Sequence, residues 1–185
     1  PGADESRLEP GEGDPQVVQK LVVQPGDWPC WMGDPQRRCV SPRAMPDKIS
    51  QQWTDALPNA GRPTAPVTAG GLVFVGYENG VLRALDADTG QTRWQAYTAG
   101  PIYVAPAVCE GRAYAGSADG RIYAFEAATG RRLWAFRAAP AARRIPVFGK
   151  LISTWPVAGG VVVRDGTLYA AAGIANYDGT SVYAL

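Results

Sequence analysis

Few residues in this 185-residue chain could do catalytic or metal chemistry. The chain has no histidine, which excludes catalytic triads with a histidine base and zinc sites built on imidazole. Its three cysteines, Cys30, Cys39 and Cys109, are too few for a zinc site of four thiolates. Cys30 and Cys39 either form a disulfide in an exported protein or remain two partly buried thiols, and the sequence leaves both alternatives open.

The segment Asp86–Gly90 superficially resembles a calcium-binding loop. Its glycine comes one position too early, however, and no glutamate follows at the twelfth position. The segment therefore reads as a solvated turn. We predict no catalytic, cofactor-binding or metal-binding residue in the chain.

A basic segment with two aromatic residues is the better candidate for a functional site. Function usually resides in loops carried by a rigid scaffold, and this segment interrupts an otherwise regular pattern. Its candidate interaction residues are Arg143, Arg144, Phe148, Lys150 and Trp155. The alternative is a solvated basic loop whose aromatic rings pack over the rim of the domain.

Composition narrows the class of protein. With 46% hydrophobic and 19% charged residues, the chain has the balance of a globular protein. The 18 basic and 17 acidic residues leave a net charge of +1, which does not favour nucleic acid as a partner. No run of about 18 apolar residues occurs, so the sequence predicts no transmembrane span. The 22 glycines and 16 prolines favour many short strands.

An internal repeat organises the chain from residue 67 onward. Residues 70–100 align with residues 110–140 without a gap, at a shift of forty positions. The identical pairs are Gly71/Gly111, Gly76/Gly116, Gly80/Gly120, Ala84/Ala124, Ala87/Ala127, Thr89/Thr129, Gly90/Gly130, Trp94/Trp134 and Ala99/Ala139. A weaker third copy runs from Val163 and needs a longer turn around residues 176–179. A period of about forty residues built of short strands is typical of the four-stranded blades of a β-propeller.

Each repeat carries two glycine-bearing turns. We expect Asn79-Gly80 and Asp119-Gly120 to close tight hairpins in which both central residues have positive φ. The second turn, with Thr89-Gly90 and Thr129-Gly130, uses glycine for a left-handed position.

The motif Ala-x-Thr-Gly-x-x-x-Trp resembles the tryptophan-docking repeat of pyrroloquinoline-quinone-type propellers. It occurs twice, with its key residues at Ala87, Thr89, Gly90, Trp94 and at Ala127, Thr129, Gly130, Trp134. That family includes quinoprotein alcohol dehydrogenases and the propeller lipoproteins of outer-membrane protein assembly. The resemblance implies that each docking tryptophan lies between neighbouring blades, so that Trp94 and Trp134 are structural.

We predict an all-β, incomplete β-propeller of four-stranded antiparallel blades, and we expect it to be a piece of a longer protein. The predicted parts are an acidic flexible lead-in (1–26), a strap rich in Trp, Cys and Pro (27–48), a closing strand (49–57), blade one (63–98), blade two (101–138), an insertion (139–160) and a partial blade three (161–185). The other blades of the longer chain would be its first partners.

The resemblance leaves the function open between classes. We predict a non-enzymatic scaffold for protein interaction or assembly, placed outside the cytoplasm in the bacterial envelope. The alternative is a fragment of a pyrroloquinoline-quinone-dependent dehydrogenase, with quinone and calcium at the propeller axis. The adjacent Cys-Cys pair of those dehydrogenases does not occur here. A sensor or carbohydrate-binding propeller is a third interpretation of the function, and it is less favoured.

Overall fold

The computed structural model describes residues 7–174 and 179–185. All the regular secondary structure in these ranges is β-strand, as predicted. In chain order the strands are β1 (Leu8–Pro10), β2 (Val67–Ala69), β3 (Leu72–Gly76), β4 (Val81–Asp86), β5 (Thr92–Tyr97), β6 (Ala107–Cys109), β7 (Arg112–Gly116), β8 (Arg121–Glu126), β9 (Arg132–Arg137), β10 (Arg144–Val147), β11 (Lys150–Ser153), β12 (Val161–Arg164), β13 (Thr167–Ala172) and β14 (Ser181–Ala184).

The strands form three antiparallel sheets and one separate hairpin. Blade one is the sheet β2-β3-β4-β5, and blade two is β6-β7-β8-β9 with β1 added to its outer edge. Blade three is the sheet β12-β13-β14, and β10 pairs with β11 in the hairpin. The predicted fold class, a partial β-propeller with four-stranded antiparallel blades, is confirmed. The turn predicted around residues 176–179 lies largely outside the described residues.

Blades one and two repeat each other down to their irregularities. The pairing of β4 with β5 shifts register between Ala84 and Leu85, and that of β8 with β9 shifts between Ala124 and Phe125, forty residues later. Such a bulge increases the local twist of the outer strand. The sequence repeat therefore reflects a repeat of backbone geometry.

The tight turns differ from the expectation in one respect. Gly80 and Gly120 have φ of +85° and +87°, whereas Asn79 and Asp119 are not among the residues with positive φ. The Gly80 amide donates to the Tyr77 carbonyl, and the Asn79 side chain accepts from the Val81 amide. The turn therefore spans three residues and needs a left-handed conformation only at the glycine.

The main core lies between blades one and two. It combines large side chains of blade one, such as Phe74, Leu82 and Trp94, with small ones of blade two, such as Ala113 and Ala135. A second cluster joins blade two to blade three through Ile122, Leu168 and Ala170. Large and small side chains facing each other allow two twisted sheets to pack closely.

Part of the lead-in is ordered against the blades, which differs from the prediction of a flexible segment at 1–26. Leu8–Pro10 pairs with Trp134–Phe136, and the Gly11 and Glu12 amides donate to the Leu133 and Arg132 carbonyls, both at 2.8 Å. The Arg121 guanidinium meets the Glu9 carboxylate at 2.6 Å. The polar composition of the segment suggested that it would bury too little apolar surface to become ordered. Backbone hydrogen bonds to the edge of blade two and ion pairs with arginine stabilise it instead.

The strap connects the inner strands of the two complete blades. Trp28 forms an antiparallel bridge with Thr68, and the Pro29 carbonyl accepts from the Val108 amide at 2.7 Å. The strap therefore ties blade one to blade two next to their innermost strands.

Residues 49–57, for which we predict a closing strand, form no strand within the described residues. A strand needs a partner for its backbone groups, and none of the strands in the described residues pairs with this segment. The segment is held by side chains instead. Trp53 donates from its indole nitrogen to the Ala87 carbonyl at 2.9 Å, and Asp55 pairs with the buried Arg83 at 2.6 Å.

Candidate functional site

The predicted insertion forms a hairpin with an aromatic residue at its tip. Val147 pairs with Lys150, so Phe148 and Gly149 alone make the turn. Both have positive φ, +46° and +75°, as a two-residue turn of the I′ type requires. A bulky residue in this region is unusual and strained, and such strain concentrates at functional positions. Phe148 is also fully exposed, at 100%.

Contacts with two blades fix the hairpin in place. The Ser153 amide donates to the Ala118 carbonyl of blade two at 2.7 Å. The Lys150 ammonium reaches the Glu78 carboxylate of blade one, also at 2.7 Å. Glu78 lies in the turn between β3 and β4, and Ala118 lies in the equivalent turn between β7 and β8. Since strands alternate in direction, these turns and the hairpin lie at one end of the blades.

The base of the hairpin is held by Arg143. Its guanidinium donates to the Thr154 hydroxyl at 3.0 Å and lies 5.0 Å from the centre of the Trp155 ring. The Thr154 amide donates to the Arg143 carbonyl at 3.0 Å. Arg143, just before the hairpin, and Trp155, just after it, therefore contact each other and hold its two ends together.

A groove of about 450 Å³ opens between the hairpin and the ends of the blades. This volume lies in the usual range of binding sites, about 300–1,000 Å³. Three of its side chains are large, apolar and solvent-exposed: Phe148, Ile174 (59%) and Tyr103 (41%). The residues lining the groove are Glu78, Tyr103, Val147, Phe148, Lys150, Ile152, Pro156, Ala158 and Ile174.

The groove is mostly apolar with one ion pair at its rim. The hydrogen bond from Lys150 is the main cause that lowers the pKa of the Glu78 carboxyl, so this pair stays charged at neutral pH. Both side chains are accessible to water, so the pair contributes little to stability. It offers one donor and one acceptor to orient a bound group.

The five predicted interaction residues fall into three groups. Phe148 and Lys150 line the groove, whereas Arg143 and Trp155 stack at the base of the hairpin. Arg144 begins β10, is exposed, and lies near Asp119 and Arg121. Of the other groove residues, Glu78, Tyr103 and Ile174 lie outside the insertion and were not predicted from the sequence. Comparing the repeats could have pointed to Glu78, because Ala118 takes its place in blade two.

The residues of the docking motif meet across the blade interface. Trp94 of β5 donates from its indole nitrogen to the Ala127 carbonyl of blade two at 3.0 Å. A Cβ on Gly130 would lie 2.6 Å from the Trp94 ring, so only glycine fits beneath it. Trp53 has the same relation to Ala87 and to Gly90.

The threonines and Trp134 complete the description of the motif. Thr129 donates its hydroxyl to the Glu126 carboxylate, and Thr89 donates to Asp86 at 2.9 Å. Both contacts close the turn that carries the glycine. Trp134 is only half-buried and packs against Tyr114 with ring centres 6.0 Å apart. Its indole nitrogen makes no hydrogen bond within residues 7–174 and 179–185.

The cysteines are free thiols in the structure, so the disulfide alternative for Cys30 and Cys39 is not the one observed. Backbone hydrogen bonds close this loop instead, from the Gly33 amide to the Cys30 carbonyl and from the Cys39 amide to the Met32 carbonyl. Cys39 is exposed and Cys30 half-buried. Burial raises the pKa of the Cys30 thiol to about 11, which makes it a poor nucleophile at neutral pH.

The donor groups in the described residues do not fit a quinone–calcium site. Among residues 7–174 and 179–185, no three Cys, Asp or Glu side chains are grouped to hold a metal ion. Asp86 accepts from the Thr89 amide and hydroxyl and from the Asp88 amide, and these bonds lower the pKa of its carboxyl. Its carboxylate therefore serves the turn. The groove under the hairpin offers a single cation, Lys150, already paired with Glu78.

Comparison with known proteins concerns the family and the fold of the chain. Residues 46–171 match the family model described as "Outer membrane protein assembly factor BamB". This chain belongs to that family. One relative, the outer membrane protein assembly factor BamB of Alteromonas naphthalenivorans, is 42% identical over 65 residues, or 32% of this chain and 16% of the relative.

Two solved structures extend the comparison to the fold. BamB from Moraxella catarrhalis superposes with a TM-score of 0.53 and 26% identity, over 71% of this chain and 36% of that one. The quinohemoprotein alcohol dehydrogenase of Comamonas testosteroni superposes with a TM-score of 0.65 and 21% identity, over 80% of this chain and 23% of that one. The second likeness shows the propeller fold alone. The chain spans well under half the length of each of these proteins.

Proposed function

We propose that this chain is part of a non-enzymatic propeller scaffold that binds protein partners during outer membrane protein assembly in the bacterial envelope. The observation that carries the proposal is the inserted hairpin, which presents Phe148 in a strained and fully exposed conformation beside an apolar groove. Membership of the assembly-factor family supports the same conclusion.

The groove is suited to a protein partner rather than to a charged cofactor. Aromatic anchors that enter a pocket dominate binding energy at protein interfaces, and Phe148 and Tyr103 are such anchors. The Lys150–Glu78 pair lies at the rim, where a polar contact fixes orientation more than it adds affinity. We therefore expect a partner segment with an apolar side chain that inserts between Phe148 and Ile174.

The position of the hairpin fits a scaffold. Its anchors reach both complete blades, through Ala118 and Glu78, so the tip is carried by rigid sheets. Loops on such a base keep a binding surface preorganised and reduce the ordering entropy of association.

We propose that the protein acts outside the cytoplasm, in the cell envelope, because its relatives are outer membrane protein assembly factors. The part of the chain that the structure describes contains no helix long and apolar enough to cross a membrane.

Site-specific photocrosslinking in the native bacterium tests the proposal. A photoreactive phenylalanine analogue at position 148 should crosslink to a component of outer membrane protein assembly, identified by mass spectrometry. The same analogue at Met45, which is 78% exposed but lies in the strap, is the matched control and should give no such product. Dye-linked alcohol oxidation by the full-length protein with pyrroloquinoline quinone and calcium would overturn the proposal in favour of a dehydrogenase.

A further inference from the structure

The outer edge of blade two is covered by a strand from the chain's own lead-in. In this added strand, Leu8 lies opposite Phe136, Glu9 opposite Ala135 and Pro10 opposite Trp134. The Arg137 amide donates to the Arg7 carbonyl, and the Leu133 carbonyl accepts from the Gly11 amide, both at 2.8 Å. From Leu133 to Arg137, backbone groups of the odd-numbered residues of β9 therefore point outward to the added strand, and the Arg132 carbonyl joins them beyond the bulge.

The equivalent strand of blade one, β5, has no such neighbour. It is the edge of its sheet in the described structure, although it shares with β9 the docking tryptophan and the bulge beside it. By the same register, the amide and carbonyl of Arg93, Gln95 and Tyr97 point outward. All three side chains are exposed. The pairing of β1 with β9 thus shows that an outer edge strand of this type can bind an added strand.

A groove follows this free edge. It has a volume of about 570 Å³ and lies between β5 and the outer part of blade two. Its walls come from Gln95–Tyr97 on one side and from Phe125–Arg132 on the other. Glu12, which continues the lead-in strand of blade two, also lines it. The groove is therefore continuous with the interface that already holds an added strand.

Propeller geometry keeps this edge accessible. Blades pack face to face around an axis, and β5 is the strand farthest from that axis in the order β2-β3-β4-β5. A neighbouring blade would cover the face of the sheet and leave its outer edge open.

The side chains around the edge define what an added strand should look like. In blade two, Glu9 meets Arg121 at 2.6 Å, but Val81 takes the place of Arg121 in blade one. Val81 is itself buried, so a residue opposite Gln95 would meet the exposed Tyr97 ring without the cation that holds Glu9, which favours an apolar side chain. Residues opposite Trp94 and Ala96 would project into the groove, where the Arg131 and Arg132 guanidinium groups and the Thr129 hydroxyl favour polar or acidic side chains.

We propose that the β5 edge binds an extended segment of a protein partner whose apolar and polar residues alternate, paired antiparallel through backbone hydrogen bonds. This inference rests on the proposed scaffold function and gives it a second surface, at the rim of the propeller. Recognition is mainly through the backbone, and the alternation of side chains provides the specificity. The lead-in of a second copy fits less well, because its Glu9 would face Val81 instead of arginine.

Fluorescence anisotropy on the intact chain tests the proposal with a labelled ten-residue peptide that alternates valine with threonine and glutamate. The unmodified chain should bind it, and a scrambled peptide of the same composition should bind about tenfold more weakly. Methylating the peptide's backbone nitrogens at the edge-facing positions should abolish binding. Equal binding of the alternating and scrambled peptides would overturn the proposal.

A pair of variants at one position isolates the backbone contribution. Gln95→Pro removes an outward amide and leaves the hydrogen bonds to β4, because proline is tolerated on an edge strand. It should weaken peptide binding about tenfold, as expected for loss of one backbone hydrogen bond with its neighbour disturbed. Gln95→Ala should bind within about twofold of the unmodified chain. An unchanged far-UV circular dichroism spectrum confirms that Gln95→Pro remains folded.

Two outcomes separate this inference from the proposed function. If Gln95→Pro binds the peptide as well as Gln95→Ala does, the edge is not the site and the proposal fails, while crosslinking at Phe148 is unaffected. If light scattering shows a dimer that Gln95→Pro converts to a monomer, the edge is an interface between two copies, which also overturns the proposal.

Discussion

Blades one and two have nearly the same strand pattern, but their tryptophans lie in different surroundings. Trp94 is 8% exposed, bonded to Ala127 and stacked over Gly130 of the next blade. Trp134, forty residues later, is half-buried and packs against Tyr114 and the third blade. Trp94 makes its docking contact with two residues of the following blade, the Ala127 carbonyl and the turn glycine Gly130.

A second difference concerns the partners of corresponding residues. Arg83 of blade one pairs with Asp55, whereas Tyr123, its counterpart in blade two, donates to Asp119 at 2.5 Å and accepts from the Ala99 amide. Val81 and Arg121 differ in the same way, since only Arg121 can hold the lead-in. Blades one and two therefore share a backbone structure, but differences at single corresponding positions make them bind different segments of the chain.

The largest expected effect is the loss of the Trp94 contact. Trp94→Ala should destabilise the chain by about 3–5 kcal/mol, the usual cost of removing a large buried aromatic side chain. Trp134→Ala should cost clearly less, because part of its ring is already in water. Urea unfolding measures both changes. Equal losses would mean that the two tryptophans are equivalent and that the comparison is wrong.

The receiving glycine should be almost as sensitive. Gly130→Ala places a Cβ 2.6 Å from the Trp94 ring and also strains a residue with φ of +77°. Gly149→Ala is the matched control, because Gly149 has φ of +75° but no atom within 4 Å of its Cβ position. We expect about 1 kcal/mol for the control, the cost of the left-handed backbone alone, and at least twice that for Gly130→Ala. Thermal unfolding of both variants would show whether the ring contact matters.

Removing Arg131 should release part of the lead-in. Its guanidinium donates to the Val17 carbonyl at 2.8 Å and to the Glu12 carbonyl. Gln91, the counterpart in blade one, has no such contacts in the part of the chain that the structure describes. Arg131→Ala should speed hydrogen exchange of residues 12–19 about tenfold with little change in the blades. Uniform exchange across the chain would contradict a local role.

The smallest expected effect is the dependence of lead-in attachment on pH. Hydrogen bonds from Thr129 and then from the Gln19 amide lower the pKa of the Glu126 carboxyl against the opposing effect of burial. The folded-state pKa lies below the unfolded one, so this contribution is present above about pH 4.3, the ordinary glutamate value, and is lost as the pH falls through the folded pKa. The stability difference between the unmodified chain and Glu126→Gln should therefore shrink in acid. A difference that stays constant from pH 7 to pH 3 would exclude this role.

The sequence was sufficient to predict the parts of the fold that depend on repetition. Glycines, threonines and tryptophans at a period of forty fixed the strands of blades one and two, because turn chemistry is local. The position of Trp94 between blades one and two also followed, but only through resemblance to a known family.

Other features could not be predicted because they depend on contacts between distant segments. The ordered lead-in needs Arg121 and Arg131, more than one hundred residues away, to meet Glu9 and Glu12. Residues 49–57 are predicted as a strand, but none of the strands in the described residues pairs with them. In the groove under the hairpin, Phe148 and Lys150 were predicted as interaction residues. Tyr103 and Ile174 were not, because they lie in other loops that only the fold brings close to the hairpin.

Hydrogen exchange of the indole protons, followed by NMR on the 185-residue chain, tests most directly that one blade is fastened to the next by an indole ring on a glycine turn. We expect slow exchange for the Trp94 indole proton, which is buried and donates to the Ala127 carbonyl, and much faster exchange for the Trp134 indole proton. Similar rates for the two protons would contradict it.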